Sequence, residues 1–141
     1  MGGTAAAGCM LAALGACSDD DGQSPASGPV TAGNVKDLPT GTIKLLKSKK
    51  VIIGRDAGGV YAMTAICTHE QCDMSGNSGN IGTDTIECTC HGSKFDKLGK
   101  VTNGPAKSNL DHYKVEIATN GDITVQAGTV VGIDARTAVP G

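Results

Sequence analysis

The chain has no tryptophan, one phenylalanine and two tyrosines. A core without large rings must be assembled from Ile, Val, Leu and Ala, and it will be small and aliphatic. Charge is scarce as well: 18% of residues are charged and the formal net charge is −2. Overall electrostatics therefore offer no case for nucleic acid or an anionic membrane surface as partner. No internal repeat, phosphate-cradling loop or amphipathic helix stands out. With 141 residues there is room for one domain with appendages, not two.

What the chain does have is concentrated in one stretch, Cys67 to Ser93, which reads CTHEQCDMSGNSGNIGTDTIECTCHGS. It holds four of the six cysteines and two of the three histidines. They form two short knots, Cys67-Thr-His69-Glu-Gln-Cys72 and Cys88-Thr-Cys90-His91-Gly92-Ser93. Residues 73–87 between them are rich in Gly, Ser, Asn and Asp, a composition that makes turns. Thiols and imidazoles delivered by paired loops are a metal-ligand set, and the same donors could in principle hold tetrahedral zinc. The spacing argues against zinc, because such sites usually draw a Cys pair from one knuckle and a His pair from another. Here each knot supplies both Cys and His. That division suits two metals, with sulfur on one and nitrogen on the other.

The two knots resemble the cluster-binding boxes of Rieske proteins, C-T-H-x-x-C and C-x-C-H-G-S, in which two His replace two Cys on one iron of a [2Fe–2S] centre. The resemblance spans roughly residues 40–126. It implies that Cys67 and Cys88 bind the inner iron and that His69 and His91 bind the outer one. It further implies a disulfide between Cys72 and Cys90, tying the loops together as in high-potential members. Ser93 matches a hydroxyl that hydrogen-bonds a bridging sulfide, and Gly104-Pro105-Ala106 matches a third loop covering the cluster. Two positions depart from the pattern. Thr89 replaces a frequent proline, a change of little expected consequence because a β-branched residue also suits extended backbone. Phe95 stands where respiratory members often carry a Tyr that donates to a cysteine sulfur. One donor fewer destabilises the reduced, more negative cluster and should lower the potential.

Outside this stretch, residues 1–17 are apolar and rich in small side chains. They are too short and too poor in Leu, Ile and Phe for a membrane-spanning helix, and they read as the hydrophobic part of an export signal. Leu14-Gly15-Ala16-Cys17 resembles a bacterial lipobox, in which Cys17 is lipidated. The alternative is an ordinary signal with Cys17 incidental. No Lys or Arg precedes the run, so a twin-arginine pair would have to lie upstream. Residues 18–40 contain hardly a hydrophobic side chain and read as a flexible tether.

From Thr42 onward the pattern is all-β. Ile43–Leu46, Val51–Ile53, Val60–Ile66, Thr85–Cys88, Tyr113–Ile117 and Asp122–Val125 are short runs with β-type alternation or branching, and Asp56–Gly59 and Asn120-Gly121 mark hairpin turns. The expected architecture is a β-sandwich or small barrel with the cluster loops as a subdomain at one end. It would occupy residues 41–126, followed by a tail or edge strand at 127–141. His112 reads as an exposed strand-start residue.

Function follows as expectation. The resemblance implies one-electron transfer, not catalysis, in an exported protein at the outer face of a bacterial membrane, held there by no more than a lipid anchor. A disulfide fits an oxidising compartment. The leading expectation is a free-standing electron carrier serving unidentified redox partners. The alternatives are the small subunit of a larger oxidoreductase or cytochrome bc-type complex, a Rieske ferredoxin or oxygenase component, and a structural zinc module.

Overall fold

The computed structural model describes residues 25–141. The expected export signal, Cys17 and the first part of the tether lie outside the described residues. Among the described residues ten strands form two antiparallel sheets. They are β1 (Pro29–Asn34), β2 (Ile43–Leu46), β3 (Val51–Asp56), β4 (Gly59–Thr64), β5 (Gly79–Ile81), β6 (Thr85–Cys88), β7 (Ser93–Asp96), β8 (Val101–Asn103), β9 (His112–Ile117) and β10 (Asp122–Val131). The base is a six-stranded sheet in the order β1-β10-β9-β4-β3-β2, and its two edges do not pair with each other. A second sheet, β5-β6-β7-β8, is inserted in the chain between β4 and β9. The chain is thus all-β, with the loop-rich sheet forming a separate subdomain.

Side chains alternate along a strand, and β4 uses both faces. Val60 and Ala62 enter one apolar cluster with Val51, Ile53, Val115, Ile123 and Val125. Tyr61 and Met63 enter a second with Ile52, Ile86, Phe95, Cys67 and Cys88. Every residue of β4 is therefore buried, which explains why its sequence is apolar on both faces from Val60 to Met63 and does not alternate. Gly54 lies opposite Tyr61 in the β3–β4 ladder, and a Cβ there would collide with the tyrosine ring.

Two boundaries differ from expectation. Residues 29–38 are not tether. Pro29, Val30 and Thr31 pair with Gln126, Val125 and Thr124 of β10, and Leu38 is buried under a 3-10 turn at Val35–Asp37. Val30, Ala32 and Leu38 are too few apolar side chains to order a free segment, but the open edge of β10 orders them through main-chain hydrogen bonds. The C-terminal segment is likewise not a loose tail. β10 runs on past a bulge to pair Val130 and Val131 with Tyr113 and His112 of β9, beyond the stretch that β1 pairs. Thr137 then exchanges hydrogen bonds with Val60, its hydroxyl donates to the Val115 carbonyl, and Arg136 binds Asp56 at 2.8 Å. Burial opposes ionisation of Asp56, but the bonds from Arg136 and the Gly58 N–H outweigh it and hold the carboxyl below its usual range.

Candidate metal centre

Each knot is a self-closed turn. In the first, the Cys67 N–H donates to the Cys72 carbonyl and the Gln71 N–H to the Cys67 carbonyl, with Gln71 at positive φ. The second spans Cys88 to Ser93, which face each other across the β6–β7 ladder, and closes with the Gly92 N–H on the Cys88 carbonyl. Gly92 has φ +86°, a conformation that favours glycine. The first turn hangs from the end of the fully buried β4 and the second from the tip of β6–β7. The two knots therefore reach one place from two different sheets.

There Cys67 and Cys88 are free, each 1% exposed. The imidazoles of His69 and His91 meet edge to face with centroids 4.8 Å apart. His91 is exposed and His69 half-buried. Cys72 and Cys90 form a disulfide, S–S 2.10 Å, that links the knots. The sulfurs of Cys72, Cys88 and Cys90 lie within 4.8 Å of one another, so the loops gather sulfur capable of coordinating a metal centre. With one pair joined, Cys67 and Cys88 remain as thiols. Burial pushes the Cys88 thiol up, while hydrogen bonds from the N–H groups of Cys90 and His91 favour its ionised form. The His69 N–H points at the Cys67 sulfur at 3.5 Å.

One atom tests whether these residues fit a metal. Nδ1 of His69 is buried with no hydrogen-bond partner. A buried nitrogen left unpaired costs free energy unless something takes its lone pair. Its other nitrogen, Nε2, faces Glu70 at 3.9 Å. An imidazole with a buried orphan nitrogen, on the knot that also carries the buried Cys67 thiol, fits a metal or cluster. The donors gathered within 4.8 Å are the sulfurs of Cys72, Cys88 and Cys90 and do not include Cys67, His69 or His91.

Ser93 is fully buried and its Oγ accepts the Ala106 N–H at 2.9 Å. That bond docks the third loop on the second knot, and the hydroxyl proton remains available to donate. Gly104-Pro105 is cis. Phe95 is fully buried in the cluster containing Cys67 and Cys88.

Residues 28–114 match the family model described as the Rieske [2Fe-2S] domain. The chain belongs to the Rieske family. The Rieske match begins at β1, earlier than the sequence resemblance suggested. The chain is 37% identical over 98 residues to the cytochrome b6-f complex iron-sulfur subunit of Chlorobaculum tepidum, covering 68% of this chain and 52% of that protein. It is 38% identical over 96 residues to the corresponding subunit of Synechococcus sp. (strain CC9605), covering 63% and 52%. The chain thus spans about half the length of these relatives. Among solved structures it resembles a chain in the complex of reduced oxygenase and oxidized ferredoxin of carbazole 1,9a-dioxygenase. The TM-score there is 0.52 at 26% identity, with 74% of this chain and 96% of that one covered.

Several site-building residues escaped the sequence reading. Thr68 donates its hydroxyl to the Ser108 carbonyl at 2.7 Å, fastening the first knot to the third loop. Asn103 donates to the Gly92 and Gly104 carbonyls, bridging the second knot and that loop. An Asn immediately before Gly-Pro is a turn signal that could have marked it. His112 is not exposed: it is 2% accessible, its Nε2 lies 2.8 Å from the Leu98 carbonyl, and its ring stacks on Tyr61. The Tyr61 hydroxyl donates to the neighbouring Lys97 carbonyl. Two base-sheet side chains thereby grip the β7–β8 turn.

Proposed function

We propose that this chain passes single electrons through a Rieske [2Fe–2S] cluster held by Cys67, Cys88, His69 and His91, as a subunit of a larger membrane oxidoreductase of the cytochrome b6-f kind. The observation that carries the cluster reading is the buried, unpartnered Nδ1 of His69, on the same knot as the buried Cys67 thiol. The identity to cytochrome b6-f iron-sulfur subunits favours a subunit over a free-standing carrier. When bound, the cluster would supply one-electron redox chemistry in the range of about −150 to +300 mV.

The chain's own residues set the conditions. Cys67 and Cys88 would hold the buried side, sealed from water by Phe95, Ile86 and Met74. The exposed His91 ring and the half-buried His69 ring form the edge at which a redox partner approaches. The Cys72–Cys90 bridge keeps the two knots together when partners bind and leave. The Ser93 hydroxyl can donate toward the sulfur side while Ala106 holds it in place. None of these groups is placed to transform a bound substrate, so the role is transfer and not independent catalysis. The setting we infer is exported, at the outer face of the membrane. Among the described residues no helix is long and apolar enough to cross a membrane.

Size fractionation of solubilised native membranes tests both halves together. Fractions containing the chain should hold two irons per chain and, after dithionite reduction, give a rhombic EPR signal of low average g. That signal should migrate with a larger partner. Zinc without a signal would remove the redox reading. A signal at the size of the lone chain would leave the cluster and remove the subunit.

A further inference from the structure

The disulfide and the free thiols are not independent. We propose that in the cluster-free chain Cys88 attacks the Cys72–Cys90 disulfide, moving the bridge to Cys72–Cys88 and releasing Cys90 as an exposed thiol. The three sulfurs already lie within 4.8 Å of one another, and Cys88 is the free one. Exchange proceeds by attack of one sulfur on a disulfide through a mixed-disulfide step, so proximity of a third thiol is the structural requirement.

The step is balanced without an oxidant or reductant. The Cys88 sulfur bonds to the Cys72 sulfur, the Cys72–Cys90 bond breaks, and the proton given up by Cys88 ends on Cys90. One disulfide and two thiols exist before and after. Attack on Cys72 is favoured over attack on Cys90 because it keeps the first knot tied to the second. A Cys88–Cys90 bond would join two residues of the same turn and free the first knot. Attack on Cys72 also exchanges a leaving sulfur for solvent: Cys88 is 1% exposed, whereas Cys90 lies on the surface.

The consequence rests on the proposed ligand set. If Cys88 holds iron, the bound cluster occupies the attacking sulfur and protects the native bridge. Once the cluster is lost, exchange consumes a ligand and the chain cannot be reloaded without a thiol reductant. The order of maturation is then set by chemistry within the site, with cluster insertion preceding any long residence of the oxidised, cluster-free chain.

The test maps thiols instead of activity. Full-length loaded protein is stripped with a chelator under argon, held at pH 8, and labelled with a maleimide without denaturant. Cleavage after Glu70 and Glu87 then separates the Cys67, Cys72 and Cys88/Cys90 peptides, and fragmentation between Cys88 and Cys90 locates the label. Label on Cys90, with the Cys72 peptide joined through Cys88, is the expected result. An intact Cys72–Cys90 link with Cys90 unlabelled overturns the proposal. To separate exchange from unfolding on stripping, two variants repeat the test, with circular dichroism reporting the fold. Cys67→Ser keeps the attacking sulfur and should expose Cys90, while Cys88→Ser should not. Exposure of Cys90 in Cys88→Ser would also overturn it. Absence of iron and EPR signal from the loaded chain would defeat the ligand reading but leave the thiol map standing, so the two failures are distinguishable.

Discussion

His112→Leu, followed across pH, measures how the base sheet holds the cluster subdomain. In the wild type the neutral ring donates from Nε2 to the Leu98 carbonyl at 2.8 Å, while Nδ1 is buried with no partner. Burial pushes the His112 pKa down, and the bond to the Leu98 carbonyl only partly opposes this. The unfolded chain titrates near 6.5, so below that pH it binds more protons than the folded chain does. Stability is fully present above about pH 6.5 and is lost as pH falls toward the lower folded value. The slope is about 1.4 kcal/mol per pH unit for one such group. The charges facing the ring do not reverse the direction: Arg136 pushes the same way, and Asp111 and Asp134 oppose it more weakly than burial acts. Leucine fills a similar apolar volume but removes both nitrogens. At pH 7.5 the lost hydrogen bond costs about 1–3 kcal/mol, offset by a comparable gain from removing the unpaired nitrogen, so the variant should lie near the wild type. At pH 5.5 the variant should be the more stable, by no more than the roughly 1.4 kcal/mol that one pH unit of that slope allows. Urea denaturation of both proteins at matched pH reads the difference, in which titrations common to both cancel. A stability gap that does not change between pH 7.5 and pH 5.5 would refute the reasoning.

Two further substitutions bear on the site and its frame. Phe95→Tyr places a hydroxyl in the apolar cluster around Cys67 and Cys88; if it donates to a sulfur, the potential should rise by on the order of tens of millivolts, measured by redox titration of the EPR signal, and no rise would remove the explanation offered for this departure from the family pattern. Gly59→Ala forces a side chain into the Thr137 carbonyl at a backbone of φ +131°, so the C-terminal segment must move and the melting temperature should drop, by strain of roughly 1–3 kcal/mol, with an unchanged melting curve as the refuting outcome.

The parts of the fold legible in the sequence are those whose order is local. β2, β3, β4, β6, β9 and the start of β10 carry branched runs bounded by turn residues, and each appears near its expected place. β1, β5, β7 and β8 do not carry such runs. Gly79-Asn80-Ile81 is a strand only because Ile86 and Cys88 of β6 lie opposite it, and a Cβ at Gly79 would strike the Met74 backbone. Pro29–Asn34 is ordered by β10 in the same way. Ligand chemistry is legible because metals demand donor types at close spacing, and the two knots show it without tertiary information. His112 illustrates the opposite case. Its neighbours Asp111 and Tyr113 suggest a strand start at the surface, but its partner carbonyl is at Leu98. Sequence spacing carries no sign of such a contact.

The placement of the site explains why so little aromatic material suffices. β4 divides its side chains between two apolar clusters and ends at Thr64, three residues before Cys67, so the strand that anchors the frame also leads into the first candidate ligand. The second cluster contains the chain's only phenylalanine and one of its two tyrosines, together with both free thiols found among the described residues. Two of the three large rings are therefore spent where the subdomain must stay dry, while the base sets Tyr113 among Val, Ile, Leu and Ala. A subdomain of four short strands buries too little surface to fold firmly by itself. It is secured by the Cys72–Cys90 bridge at one end and by the Tyr61 and His112 hydrogen bonds to the β7–β8 turn at the other. A metal between the knots would add a third fastening at the place where the two sheets converge. Without it, the bridge is the one covalent tie between the knots among the described residues, which is why the identity of its two sulfurs matters to the whole assembly.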